Sequence, residues 1–143
     1  SKQVDAVVGG YRNFEATELE LAGARAVTFF PEEHGVPPYD ELILAARADK
    51  VADAKFARLT RALEAATLWA TNHPAETRDI LEKADPKLAD ELNRRALVDT
   101  MPRFAKRPGA LDRVRTARFA EFLKARGLIA DIPLMETYAI EPK

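Results

Sequence analysis

The spacing of apolar positions changes near residue 50, from short dense runs before it to helical stripes after it. Residues 4–8 are apolar except for Asp5 and end on Gly9-Gly10, which predicts a buried strand stopping at a turn. Residues 14–22 are rich in helix formers and close on Gly23, a residue type suited to the end of a helix. A second strand is predicted over 25–30, where β-branched and aromatic side chains gather before Pro31. Residues 32–40 read as a loop that Pro37-Pro38 stiffens, because adjacent prolines hold the backbone extended and offer no N–H. A third strand is predicted over 41–47, apolar at Leu42, Ile43 and Leu44.

Beyond residue 50 the period is helical. Asp53 is placed to cap a helix running to about Asn72, with Phe56, Leu59, Leu63 and Ala66 on its buried face. Pro74 suits the first turn of a second helix, with Ile80 and Leu81 inward. Asp85-Pro86 opens a third, carrying Leu88, Leu92 and Ala96 on one stripe. Residues 101–109 are irregular. A fourth helix over 111–126 buries Leu111, Val114, Phe119 and Phe122, and Gly127 stops it. A short apolar tail over 128–140 contains Pro133, and no repeat or low-complexity segment is present.

The fold class read from this order is α/β: three short strands followed by a helical C-terminal half. The order is lopsided. An α/β domain alternates strands and helices through a whole sheet of about five or six strands. The pattern therefore resembles the end of an α/β fold whose beginning lies elsewhere.

Composition narrows the function. The net charge of −1 gives the molecule no general pull on nucleic acid or anionic lipid. The chain has no cysteine, which removes disulfides, thiolate metal sites and cysteine nucleophiles. A serine hydrolase is equally poorly served, since Ser1 is the only serine. His34 lies beside Glu32 and Glu33, but His73 is the only other histidine, too few nitrogen ligands for a zinc site. Between Arg103 and Arg126 stand eight Lys or Arg against Asp112 and Glu121, with no aromatic residues interleaved on a polar face, so a solvated helix face is the stronger reading. Trp69 on a helix reads as packing. No cofactor, metal site or nucleic-acid partner is expected.

Three stretches carry a family resemblance. The first is Val4-Asp5-Ala6-Val7-Val8-Gly9-Gly10-Tyr11-Arg12-Asn13-Phe14-Glu15, and the second is Phe30-Pro31-Glu32-Glu33-His34-Gly35-Val36-Pro37-Pro38-Tyr39-Asp40-Glu41-Leu42. The third is Ala62-Leu63-Glu64-Ala65-Ala66-Thr67 with Asn72-His73-Pro74-Ala75-Glu76. Together they resemble the thiamine-pyrimidine precursor binding proteins, a branch of the type II periplasmic solute-binding fold to which fungal pyrimidine synthases are related. The resemblance covers the C-terminal part of a family member. It implies a two-lobed binding protein of an ABC importer, working in the periplasm or lipid-anchored outside the cytoplasmic membrane. It further implies that residues 1–30 end the second lobe and begin the hinge crossing. Residues 31–47 would then form the hinge loop and a returning strand, and 48–143 the helical part of the first lobe. The implied partners are a small aminopyrimidine, a membrane permease, and either a missing N-terminal segment or a second copy of the chain.

Tyr11 and Glu15 sit where that resemblance places an aromatic platform and a carboxylate, and the chemistry agrees. A tyrosine face stacks on a flat ring for about 0.5–1.5 kcal/mol beyond area burial. A carboxyl group can accept from an exocyclic amine and pair with the adjacent ring nitrogen, in bonds of about 1.5–3 kcal/mol. Asn13 can donate or accept at the same edge. Glu33, His34 and Tyr39 are expected to brace the 32–40 loop by hydrogen bonds, near a cleft or hinge. The reading is of a binding protein, not an enzyme. Its alternatives are capture of another organic solute, such as a sulfonate, and an enzyme like the pyrimidine synthases.

Overall fold

The structure is a computed structural model and describes residues 4–142. Among the described residues there are five α-helices: α1 (Glu15–Leu21), α2 (Ala54–Asn72), α3 (Pro74–Ala84), α4 (Glu91–Thr100) and α5 (Arg113–Ala125). Short 3₁₀ turns lie at Pro31–His34, Pro86–Leu88, Met101–Arg103 and Met135–Thr137.

The three expected strands are not formed, so the α/β assignment is corrected: among the described residues the regular structure is entirely helical. Residues 4–8, 25–30 and 41–47 run without regular structure, and Val8, Val27 and Leu42 are 99%, 83% and 85% exposed. The physical reason is that strand propensity is a preference for a half-buried pleated surface. It becomes a strand only when a neighbour takes up the backbone N–H and C=O groups.

Three helices are capped by aspartates, of which Asp53 was expected from the sequence and Asp90 and Asp112 were not. Asp53 Oδ1 accepts the Lys55 N–H at 2.9 Å, Asp90 Oδ1 that of Asn93 at 2.7 Å, and Asp112 Oδ1 that of Arg115 at 2.9 Å. Each satisfies a donor that the first helical turn leaves without a partner. The expected third helix begins later than Asp85: Asp85 caps only the 3₁₀ turn, and Asp90 starts α4. α5 ends in paired bonds, Gly127 N–H to the Lys124 carbonyl and Leu128 N–H to that of Leu123, with Gly127 at φ 70°. Only a residue without Cβ takes that conformation cheaply. The same bond pattern closes α1.

Burial departs from the expected stripes. On α2 the buried positions are Ala57 and Thr60, whereas Leu59 is exposed. Thr60 is covered because the Gly109 backbone comes close: a Cβ at Gly109 would lie 3.2 Å from Thr60 Cβ. Ile80, Leu81 and Val114 were expected inward and are exposed. The buried apolar residues are Ala57, Ala96, Met101 and Ala120, and no large side chain is fully enclosed.

The chain divides into two compact units. One holds the described residues up to Thr28 together with Ala66–Lys106; the other holds Phe29–Ala65 and the described residues from Arg107 onward. In the first unit α1 packs on α4, with Thr17 buried. There the Trp69 and His73 rings stack with centroids 4.8 Å apart, and His73 Nδ1 lies 2.8 Å from the Trp69 carbonyl oxygen. In the second unit Tyr39 stacks on Phe119 at 4.5 Å with the rings 14° from parallel. Next to it Arg115 donates to Asp40 Oδ1 at 2.7 Å.

The accessible surface is 11578 Å². A folded monomer of 15.9 kDa exposes roughly 7,400 Å², and even two independent units of half that mass would expose about 8,900 Å². The excess includes the apolar side chains of the three segments that lack strand partners.

Candidate functional site

Tyr11, Asn13 and Glu15 converge in the turn that starts α1. The Tyr11 carbonyl accepts the N–H groups of Phe14 and Glu15, each at 3.1 Å, and Glu15 Oε2 accepts the Tyr11 N–H at 2.6 Å. Glu15 thus reaches back one turn, as a carboxylate at a helix start does when it satisfies a backbone donor. Tyr11 and Glu15 are four residues apart, a spacing that in a helix would put both on one face. The structure instead joins them through a turn, with Tyr11 ahead of the helix. Tyr11 is 45% exposed. Glu15 accepts on one oxygen, and a carboxylate has a second to offer.

Asn13 is committed differently. Its Nδ2 donates to Thr100 Oγ1 at 2.6 Å, and Thr100 Oγ1 donates to the Ala96 carbonyl at 2.6 Å. This chain of bonds fastens the turn to the end of α4, and it uses an amide donor that the sequence reading assigned to the ligand edge. Sequence inspection had no signal for it, since the two residues are 87 positions apart.

Two grooves lie in the same unit. One, of about 370 Å³, runs between α1 and α4 and is lined by Thr17, Glu20, Arg95 and Val98 among others. The other, of about 180 Å³, is apolar at Leu81, Leu88 and Leu97 and includes Thr100. Tyr11, Asn13 and Glu15 line neither. The arginines of the larger groove are occupied: Arg94 Nε donates to Glu82 at 3.0 Å and Arg95 Nε to Glu91 at 2.9 Å. Those bonds raise both guanidinium pKa values.

In the second unit, Glu33 and His34 lie on the Pro31–His34 turn, and the His34 ring meets Phe29 at 5.7 Å. Tyr39 stacks on Phe119. The loop is braced, but among the described residues by ring contacts and backbone bonds rather than by hydrogen bonds from these side chains. The basic stretch is largely paired within its own unit: Arg107 with Glu64, Arg113 with Glu136, Arg115 with Asp40 and Lys124 with Asp131. No helix is long and apolar enough to cross a membrane among the described residues.

The family model described as NMT1/THI5 like matches residues 1–77, a span that holds all six candidate residues. The chain belongs to this family. It is 42% identical over 140 residues to a Haemophilus influenzae protein whose name places it in thiamine biosynthesis, covering 97% of this chain and 45% of that protein. It is 35% identical over 83 residues to a formylaminopyrimidine-binding protein of Halalkalibacterium halodurans, covering 57% of this chain and 25% of that one. The chain therefore spans less than half the length of these curated relatives. No solved structure gives a match.

Proposed function

We propose that this protein captures a small aminopyrimidine precursor of thiamine and passes it to the permease of an ABC importer outside the cytoplasmic membrane. The observation that carries the reading is the Tyr11–Glu15 turn, in which the Glu15 carboxylate accepts the N–H of the exposed Tyr11, within the stretch matched by the family. The name of the formylaminopyrimidine-binding relative supports an aminopyrimidine as ligand and binding rather than catalysis. Tyr11 stacks on the ring, Glu15 pairs with its polar edge, and Asn13 holds the turn in place. The ligand cleft is completed by further chain of the kind the longer relatives possess, or by a second copy, which also covers the exposed apolar segments.

The test is mass spectrometry of ligand released from the complete protein purified without denaturation. An aminopyrimidine in near-stoichiometric amount supports the reading; a sulfonate or other solute in its place refutes it. The biosynthetic name of the Haemophilus relative favours pyrimidine synthesis as the second reading. Turnover of a precursor into a new pyrimidine, rather than its release unchanged, would decide for that one.

A further inference from the structure

The second unit contains a short segment held at two points. Its base is the Pro31–His34 turn, fixed by the contact of His34 with Phe29 and closed by the N–H groups of Gly35 and Val36 on the Pro31 carbonyl. Its tip is Tyr39-Asp40, adjacent residues that grip Phe119 and Arg115, which stand one helical turn apart on α5. Between them, Pro37-Pro38 permits little bending. Gly35, at φ 86°, joins the base to this stiff portion. After the tip residues 41–47 have no regular structure, and Leu42, Ile43 and Leu44 are exposed.

We propose that residues 35–40 form a hinged arm that pivots at Gly35, freeing the Val36 N–H from the Pro31 carbonyl as it opens, and is latched to α5 by Tyr39 and Asp40 together. The two contacts open as one, because they sit on neighbouring residues facing one helical turn. The Asp40–Arg115 pair is about half exposed on both sides, so salt weakens it. Asp112 competes for the same guanidinium from 3.6 Å, giving Arg115 a partner when the arm leaves. Opening uncovers the face of Phe119 that Tyr39 now covers. This inference is independent of the pyrimidine reading, since it concerns only contacts within one unit.

Backbone order parameters from ¹⁵N relaxation on the whole chain test it. With the latch closed at low salt, Tyr39 and Asp40 should show order near the value of about 0.85 typical of rigid backbone. In Arg115→Gln, in Asp40→Asn, and in the unaltered protein at about 0.5 M salt, their order should fall toward about 0.6, with Val36. Glu33, His34 and α5 should stay rigid. Unchanged order at Tyr39 and Asp40 under all three conditions would overturn the proposal, and so would loss of order spreading through 31–34. The salt series needs no substitution and decides the matter even where a variant folds poorly.

Discussion

Glu15 carries two duties that a pair of substitutions can separate. Its carboxylate accepts the Tyr11 N–H and, in our reading, also meets the ligand's amine edge. Glu15→Ala removes both; Glu15→Gln keeps a carbonyl acceptor for the backbone and removes the charge. Aminopyrimidine binding should weaken about ten- to a hundredfold in Glu15→Ala, with a loss of about 0.5–2 kcal/mol in stability from the opened turn. Glu15→Gln should keep the stability and still lose affinity, which paired calorimetry and thermal melts would show. Acid should act on two other carboxylates. Hydrogen bonds from Arg113 hold the Glu136 pKa below its ordinary value, and the Lys55 N–H does the same for Asp53. For a depressed carboxylate the contribution to stability is present above its unfolded pKa and is lost as pH falls through the folded value. Loosening of the Met135–Thr137 turn and of the start of α2 is therefore expected below about pH 4, followed by amide chemical shifts; unchanged shifts there down to pH 2 would contradict it. At this scale the four-residue spacing of Tyr11 and Glu15 pointed to a shared helical face. The sequence could not show that they meet through a turn, or that Asn13 is spent on Thr100, because that bond depends on tertiary placement.

Helix ends were mostly legible and helix faces only in part: Ala96 is buried where its stripe placed it, whereas Leu59, Ile80, Leu81 and Val114 are exposed. Asp53, Pro74, Gly23 and Gly127 each act locally, so their roles follow from residue type and neighbours alone, whereas the Asp112 cap went unread and α5 was expected to begin at Leu111. Which face of α2 is buried depends on what approaches it, and that is the Gly109 backbone, 49 positions after Thr60. The small residue at 109 carried no periodic signal. Gly109→Ala should therefore cost about 1–3 kcal/mol, since its Cβ would press on the β-branched Thr60 in a helix that cannot easily give way. Denaturant unfolding of this variant should also be partly restored by Thr60→Ser, which removes the Thr60 methyl 3.6 Å from the added Cβ. A Gly109→Ala protein as stable as the parent would show that the approach at 109 is loose. The strands failed for a related reason. Residues 4–8, 25–30 and 41–47 have the composition of strands, but pairing is a property of neighbours, and the described residues provide none.

Among the described residues, many large apolar side chains stand exposed. Val7, Val27, Phe29, Leu42 and Ile43 are each more than 70% exposed, in three separate stretches of chain. Surface of this kind is characteristic of contact with another polypeptide. Light scattering on this chain alone should accordingly show self-association that rises with concentration, and replacing Leu42 and Ile43 with serine should reduce it; a strictly monomeric chain at high concentration would contradict that. The helical character of the C-terminal half could be read from its periodicity, and the family from its first 77 residues. The packing partner could not be read, since an apolar run looks the same whether its cover comes from the same chain or another. The central claim is that the turn at Tyr11–Glu15 forms part of an aminopyrimidine site, and titration calorimetry on the complete natural protein tests it most directly. Formylaminopyrimidine should bind the parent with micromolar affinity or better, and Glu15→Gln should weaken it at least tenfold without loss of fold. Equal affinity in the two proteins, or no binding to the folded parent, would contradict the account.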